Sequence, residues 1–440
     1  MRARVCPGGG QTATGVRSER RVIGSNMVWS GNGAAATSSA GLRSETVRST
    51  NLATILRELH FHGSMSRSEL VARTGLTRSA IGALIGELAR VGLVVERRAI
   101  SDGSPGRPSP VASVVADQNV AIAVEVLVDC VGVAAIGLGG TVLYSTRLDR
   151  PRGRVSVDET IHDIVAGVTQ VKGKLSPSCR ILGVGVGVVG LVRRPDNSVP
   201  IAPNLGWHDV AFGDQLRLAL GGTDGVALAN DADVAALAEV RRGAAVGVDD
   251  VVCIWGEVGV GGGLVSRGEM ITGAAGFAGE VGHMPVNPDG RLCQCGSIGC
   301  WETEIGEGAL LRLTGRPPDG GREAVESVLA DAVAGVPSAL EALAVQARWL
   351  AVGLAGLINV LNPSMVVLGG LFGRAHPFIA GQLNDEIARR ALHSSMANLR
   401  VVPSRLGMDA VLMGAAELAF EAVLSDPLAT LREVEARRTG

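Results

Sequence analysis

The chain has 440 residues, 46% hydrophobic but only 3% aromatic, with 61 glycines. That length exceeds one core, so two or three domains are expected, built from Ala, Val, Leu and Ile packed as buried strands and helices. No apolar run reaches about 18 uncharged residues. The N-terminus has no apolar leader segment, so neither a membrane span nor a secretory signal is expected and the protein reads as cytoplasmic. The net charge of −2 hides an asymmetry. Residues 1–110 hold 15 Arg, no Lys and 7 acids, whereas the remainder holds 26 basic and 36 acidic residues. A basic head on an acidic body suggests that the head meets a polyanion, although a solvated arginine-rich tail has the same composition.

Residues 1–45 are rich in Gly, Ser, Thr, Ala and Arg without apolar periodicity, and are expected to be a disordered extension. Over 46–105 the pattern becomes helical. Leu52, Ile55, Leu56 and Leu59 recur at helical spacing. Ser66 and Glu69 form a capping box ahead of a short second helix. Thr77 then caps a third helix carrying Ile81, Leu84, Ile85 and Leu88, which stops at Gly92. Leu93–Arg98 reads as a strand before a turn-rich segment. Three helices followed by a hairpin make a winged helix-turn-helix. As a DNA reader, it would present Thr77, Arg78 and Ser79 to the major groove, Arg67 nearby, and Arg97, Arg98 and Arg107 along the backbone or minor groove. A small helical protein-interaction domain is the alternative.

The Pro-rich stretch opening at Gly106 disfavours helix, and 106–118 is expected to be a linker. From 119 the chain alternates strand-like and helical runs, two α/β units in tandem. They predict a first lobe over 119–240, a second over 241–440, and a cleft between them.

Asn230-Asp231 follows a strand and opens a helix, on the rim where α/β folds hold ligands. Asp231 is placed to take a proton from a hydroxyl, to accept a hydrogen bond from it, or to cap the helix. Asn204 adds an amide beside Trp207, whose ring would stack on a sugar or fill the core. Further on, His283, Cys293, Cys295 and Cys300 stand at H-x9-C-x-C-x4-C spacing. Four N/S donors this close suit a closed, structural Zn²⁺ site, with a redox switch or a disulfide as the alternatives. Glu280 and Glu302 flank them and put acceptors beside a rigid knot, as recognition of a polyhydroxylated ligand requires.

Asn230-Asp231, the run Gly256-Glu257-Val258-Gly259-Val260-Gly261-Gly262-Gly263, Gly279-Glu280-Val281-Gly282-His283 and the Cys cluster together resemble the ROK family of repressors, open reading frames and sugar kinases. The fused head is similar to its repressor branch. The resemblance implies a two-lobed actin-like kinase fold and a Zn site of His283, Cys293, Cys295 and Cys300. It implies sugar hydroxyls held by Asn204, Asn230, Asp231, Glu280, His283 and Glu302. Family kinases carry an Asp-x-Gly-Gly-Thr phosphate turn after the first strand, where this chain has Glu125-Val126-Leu127-Val128-Asp129. Leu127 is bulky where a phosphate needs bare backbone. Gly137–Thr141 lies about ten residues too late and reads as a hairpin turn. The glycines at 259–263 are intact as a second phosphate turn, but the fold itself would also require them. The expectation is a regulator without kinase activity, a repressor of carbohydrate genes that binds operator DNA as a homodimer or homotetramer and responds to a sugar or sugar phosphate. A sugar kinase using Asp231 as base, fused to a DNA-binding head, is the alternative.

Overall fold

A computed structural model describes residues 44–98, 110–222 and 225–439. The extension expected over 1–45 falls almost wholly outside them. In the head, α1 (Ser44–His62), α2 (Arg67–Thr74) and α3 (Arg78–Arg90) pack on β1 (Met65–Ser66), β2 (Val94–Arg98) and β3 (Pro110–Val114). Ser66 and Glu69 exchange both hydrogen bonds of the capping box. Gly75 ends α2 at φ +71°, a left-handed conformation that costs glycine nothing. Thr77 accepts the Ala80 N–H and caps α3. The antiparallel β2–β3 pair is the wing.

The wing corrects one expectation. Val94 pairs with Val114 and Arg98 with Pro110, so Pro110–Val114 is a strand of the wing sheet and not part of a linker. The local sequence signals only extended backbone; pairing with β2 across residues 99–109, and with β1 through Met65 and Ala112, makes it a strand. Residues 99–109 between the two strands, Arg107 included, lie outside the described residues.

The first lobe holds β4 (Asn119–Val126), β5 (Cys130–Gly137) and β6 (Thr141–Asp149), then α4 (Val157–Lys172) and β7 (Arg180–Val188). A small sheet of β8 (Leu191–Arg193), β9 (Ser198–Ala202) and β10 (Trp207–Val210) follows, then α5 (Phe212–Ala219), β11 (Val226–Asn230) and α6 (Asp231–Arg242). The second lobe opens with β12 (Val251–Gly256), β13 (Val260–Ser266) and β14 (Glu269–Met270). It continues through α7 (Trp301–Ile305), α8 (Glu307–Leu313), α9 (Gly321–Val333) and α10 (Pro337–Leu361). Then come β15 (Met365–Gly369), α11 (Gly370–Ala388), α12 (His393–Met396) and β16 (Arg400–Pro403), before α13 (Ala410–Ser425) and α14 (Pro427–Thr439). The two large sheets, β11-β7-β4-β5-β6 and β14-β13-β12-β15-β16, repeat one plan. Three antiparallel strands are extended by two parallel ones, although the sequence carries no visible repeat. Helix α10 is long and apolar enough to cross a membrane, yet Leu343, Leu350, Leu354 and Ile358 are buried in the second-lobe core.

The chain crosses back at α13, which packs on β4, β7 and α6 of the first lobe. The head joins the same core. Leu52, Leu56, Leu59 and Leu88 cluster with Ile136, Leu138, Leu182, Met413 and Phe420. Asn119 donates to the carbonyls of Gly92 and Val115, and Arg180 donates to Val91 O and to Asn119 Oδ1. The head therefore moves with the first lobe and is not a bead on a loose tether.

Candidate functional site

Strand β11 delivers Asn230 to the cleft, where it turns the chain into α6. Its Oδ1 accepts the N–H groups of Ala232 (2.8 Å) and Asp233 (3.3 Å), and its Nδ2 donates to Gly190 O at 2.9 Å. Asn230 is thus the helix cap and a clamp on the neighbouring strand end, and keeps one amide hydrogen for a ligand. Asp231, one residue on, is spared the capping role and lines the cleft. Burial raises its pKa to about 7, the backbone N–H groups of Ala232 and of Asp231 itself pull it down, and the nearby carboxylates of Glu280 and Glu257 push it up.

Helix α6 reaches this position because its bed is glycine. A Cβ at Gly261 would stand 2.6 Å from the Ala232 Cβ, and one at Gly263 would stand 2.2 Å from the Ala236 Cβ. These residues lie in β13, paired opposite Trp255 and Cys253. The glycine run expected as a second phosphate turn is therefore mostly strand, and its glycines serve helix packing. The turn proper is Glu257-Val258-Gly259.

The opposite wall lies on the same strand. A Cβ at Gly279 would meet Gly262 O at 2.3 Å, and one at Gly282 would meet Val260 O at 2.1 Å. Only glycine allows this contact, which lays Glu280 and His283 along the cleft. The ligand atoms of His283, Cys293, Cys295 and Cys300 all lie within 4.8 Å of one another. The Cys295 and Cys300 sulfurs are 3.6 Å apart, and the Cys293 sulfur is 3.7 Å from His283 Nδ1. Metal–ligand bonds of about 2.0–2.3 Å give tetrahedral edges of roughly 3.5–3.8 Å, so the four donors fit one tetrahedral metal ion. All three thiols are free, and 3.6 Å is too far for a disulfide. Cys300 leads into α7, which the buried Trp301 anchors by donating from Nε1 to Trp349 O. Glu302, on that helix, turns its carboxylate to the cleft beside the Cys293 sulfur.

The walls converge over Gly259. A Cβ there would stand 3.2 Å from Glu302 Oε2 and 3.8 Å from Asn204 Nδ2, which come from opposite lobes. The absent side chain leaves room for a ligand. The cleft measures about 470 Å³ and is lined by Asn204, Asn230, Asp231, Glu280, His283 and Glu302, all expected from the sequence. Trp207 is core and not a stacking platform. It is 3% exposed, donates to Val155 O and packs on Phe212.

Sequence reasoning missed Asp129, Glu257, Arg291 and Arg312, which also line the cleft. Asp129 and Glu257 each sat inside a motif read for its glycines and not for its charge. Nothing in the sequence singles out the two arginines. At this end the β4–β5 turn is closed by the Leu127 N–H donating to Cys130 O. Asp129 pairs with Arg152 at 3.2 Å and with Arg322 of the second lobe at 3.4 Å. Arg152 also pairs with Glu307 across the lobes. Burial raises the pKa of Glu257. Gly137–Thr141 is a hairpin turn, as expected, and lies against the head, where the Gly139 N–H donates to His60 Nδ1.

In the head, Thr77, Arg78 and Ser79 are exposed together at the start of α3, and Arg97 is exposed on β2. Arg78 reaches back to Ser68 Oγ at 2.6 Å. Arg67 differs from its expected place at the DNA face. Its guanidinium grips both oxygens of Glu96, at 2.7 and 2.6 Å, and braces α2 against the wing. The partner, 29 residues away, is invisible to local reading. The Arg98 side chain lies outside the described residues.

Two lobes of one plan, a glycine-bedded carboxylate wall and a His/Cys₃ knot have a counterpart among known families. The ROK family model matches residues 121–422. The chain belongs to the ROK family. It is 26% identical to the xylose repressor of Bacillus subtilis over 379 residues, covering 85% of this chain and 96% of the repressor. A ROK family transcriptional regulator, homologous to the E. coli MLC protein, superposes with a TM-score of 0.73 at 25% identity, over 88% of this chain and 99% of that one. A ROK family glucokinase from Streptomyces griseus, solved with glucose and AMPPNP, gives 0.61 at 28% identity, over 68% of this chain and 98% of the kinase. The ROK regulators match the head as well as the lobes.

Proposed function

We propose that this protein is a sugar-responsive transcriptional repressor whose cleft is a receptor and no longer a kinase site. Asn204, Asp231, Glu280 and Glu302 would hold sugar hydroxyls, with Asn230 contributing its remaining amide hydrogen. A Zn²⁺ ion on His283, Cys293, Cys295 and Cys300 would fix the second wall; its role is structural, since all four positions are filled by protein. His283 turns Nδ1 to the cysteines and Nε2 towards Glu280, 3.9 Å away, so it would tie the metal knot to the sugar wall. Thr77, Arg78, Ser79 and Arg97 would meet operator DNA. A homodimer would match a palindromic site.

One observation carries the choice of receptor over kinase. Both turns that face the cleft opposite the sugar carboxylates carry an acid, Asp129 and Glu257. The arginines nearest Asp129 are already paired with it. Phosphoryl transfer needs the reverse, bare backbone N–H groups and free cations around three phosphates. Full-length support for the repressor reading comes from the xylose repressor and the ROK regulator, whose matches include the head. The test joins two measurements on purified protein. Binding to the chain's own upstream DNA should weaken with one of a panel of pentoses and hexoses. ADP release with the same sugars and ATP should stay at background; turnover that disappears in Asp231→Asn would sink the receptor reading.

A further inference from the structure

Helix α6 begins at the sugar wall and ends at the DNA-binding head. Its last residues, Arg241 and Arg242, pair with Glu417 of α13, which is completely buried. Glu417 also accepts from His60 of α1, at 3.1 and 3.2 Å. His60 Nδ1 accepts the Gly139 N–H at 2.9 Å, and its Nε2 faces both Glu417 and the Arg242 guanidinium. Arg242 donates to Gly139 O at 2.8 Å. The neighbouring Phe61, also of α1, lies under both guanidinium groups, 5.2 and 5.7 Å from the ring centre. Five residues from three elements and a hairpin thus lock the end of α6 to the first helix of the head.

The flanks of α6 are built differently. It meets β13 through Gly261 and Gly263. It meets β7 at Gly187, where a Cβ would stand 2.7 Å from Val234 Cγ2. It meets α13 at Gly414, where a Cβ would stand 1.7 Å from Val234 O. Backbone approaches backbone at these contacts, and ten of the 12 residues of α6 are buried, so the helix shifts as one rigid body and does not bend. A helix of 12 residues is a stiff rod of about 18 Å. Because α6 touches both lobes, a change in lobe angle must be absorbed along it.

We propose that α6 transmits effector binding from the cleft to the head, and that His60, Phe61 and Glu417 form its joint with the head. A sugar engaging Asp231 moves the first turn of α6. Displacement reaches Arg242 undiminished, and the joint passes it to α1. The proposal rests on the sugar-receptor reading, and names the route through α6 over two rivals: residues 115–118 between wing and first lobe, and a rearranged subunit interface.

The test uses full-length protein and whichever of D-xylose, D-glucose and N-acetylglucosamine binds it by calorimetry. Operator affinity is measured with and without saturating sugar. In wild type the ratio should fall in the 5–150-fold range usual for allosteric coupling. In Arg242→Met, which keeps the side-chain length, sugar affinity should stay within about 3-fold while the ratio drops below about 2-fold. Phe61→Leu leaves the buried ion pairs intact and should reduce the ratio in the same direction, which guards against a fold defect in the first variant. A merely structural joint would lower operator affinity equally in both states; an unchanged ratio in both variants overturns the relay and leaves the receptor reading standing. If no sugar binds wild type, the receptor reading fails and the relay with it.

Discussion

Asn230 caps the helix that Asp231 begins, and this division of labour frees the Asp231 carboxylate for a ligand. The pair yields two separable substitutions. Asp231→Asn should weaken sugar binding by roughly 10-fold to 150-fold, the 1.5–3 kcal/mol of a hydrogen bond to a charged group, with effector-free operator binding unchanged. Asn230→Ala should cost about 1 kcal/mol of stability by loss of the cap, read as a lower urea midpoint at constant slope. Calorimetry and chemical denaturation check the two.

Sugar affinity should depend on pH. The folded pKa of Asp231 is raised to about 7 by burial, with Glu280 and Glu257 adding to it against the backbone N–H of Ala232. The ionised form offers more acceptors to hydroxyl donors, so affinity should rise from pH 6 to pH 8, and the rise should vanish in Asp231→Asn. The stability of the sugar-free protein runs the other way. A carboxyl raised from an unfolded value near 4 binds more protons when folded, so its contribution declines as pH climbs from about 4 to about 7.

At the joint with the head the signs differ. Burial lowers the pKa of His60, while at Glu417 burial is outweighed by contact with His60 and by the charges of Arg242 and Arg241, which hold the carboxyl below the usual range. The unfolded chain therefore binds more protons at both groups, and their contribution is lost as pH falls from about 6.5 downward. Glu417→Gln should remove much of this acid sensitivity. It leaves Arg242 without a carboxylate, while Arg241 keeps Glu421 at 3.0 Å, at a cost of about 3–5 kcal/mol. Urea midpoints across pH 4–8 test both statements.

Metal analysis should return about one Zn²⁺ per chain, and Cys295→Ser should lose it. The loss should also weaken sugar binding, because His283 and the Cys300–Trp301 step into α7 hold Glu280 and Glu302 in place. Sugar affinity unchanged in the metal-free protein would separate the knot from the receptor wall.

Gly263→Ala tests the bed of α6. The new methyl would stand 2.2 Å from Ala236 Cβ, so helix or strand must shift. The expected loss is about 1–3 kcal/mol, with sugar binding weakened beyond what the stability loss explains. Thermal unfolding and calorimetry give the two numbers.

The chain's local signals were legible wherever a short spacing carries the physics. The capping box at Ser66–Glu69, the Thr77 cap, the His/Cys₃ spacing and the Asn230-Asp231 strand end all depend on residues within a few positions of one another. Partnerships across long separations were not. Arg67 with Glu96, Pro110–Val114 with β1, and Asp129 with Arg322 each needed the folded chain. The glycines of β13 mislead for a related reason. A glycine that admits a phosphate and one that admits a helix look alike in sequence, and only the neighbour decides.

By itself the sequence determined the parts: a basic winged head, two α/β units, four metal donors and the acids around them, because periodicity, capping and ligand spacing are local. The tertiary structure decided what those parts face. It gave the cap to Asn230, turned Asp129 and Glu257 into the cleft, and ran one helix from Asp231 to His60, because burial and long-range pairing fix which side chains meet.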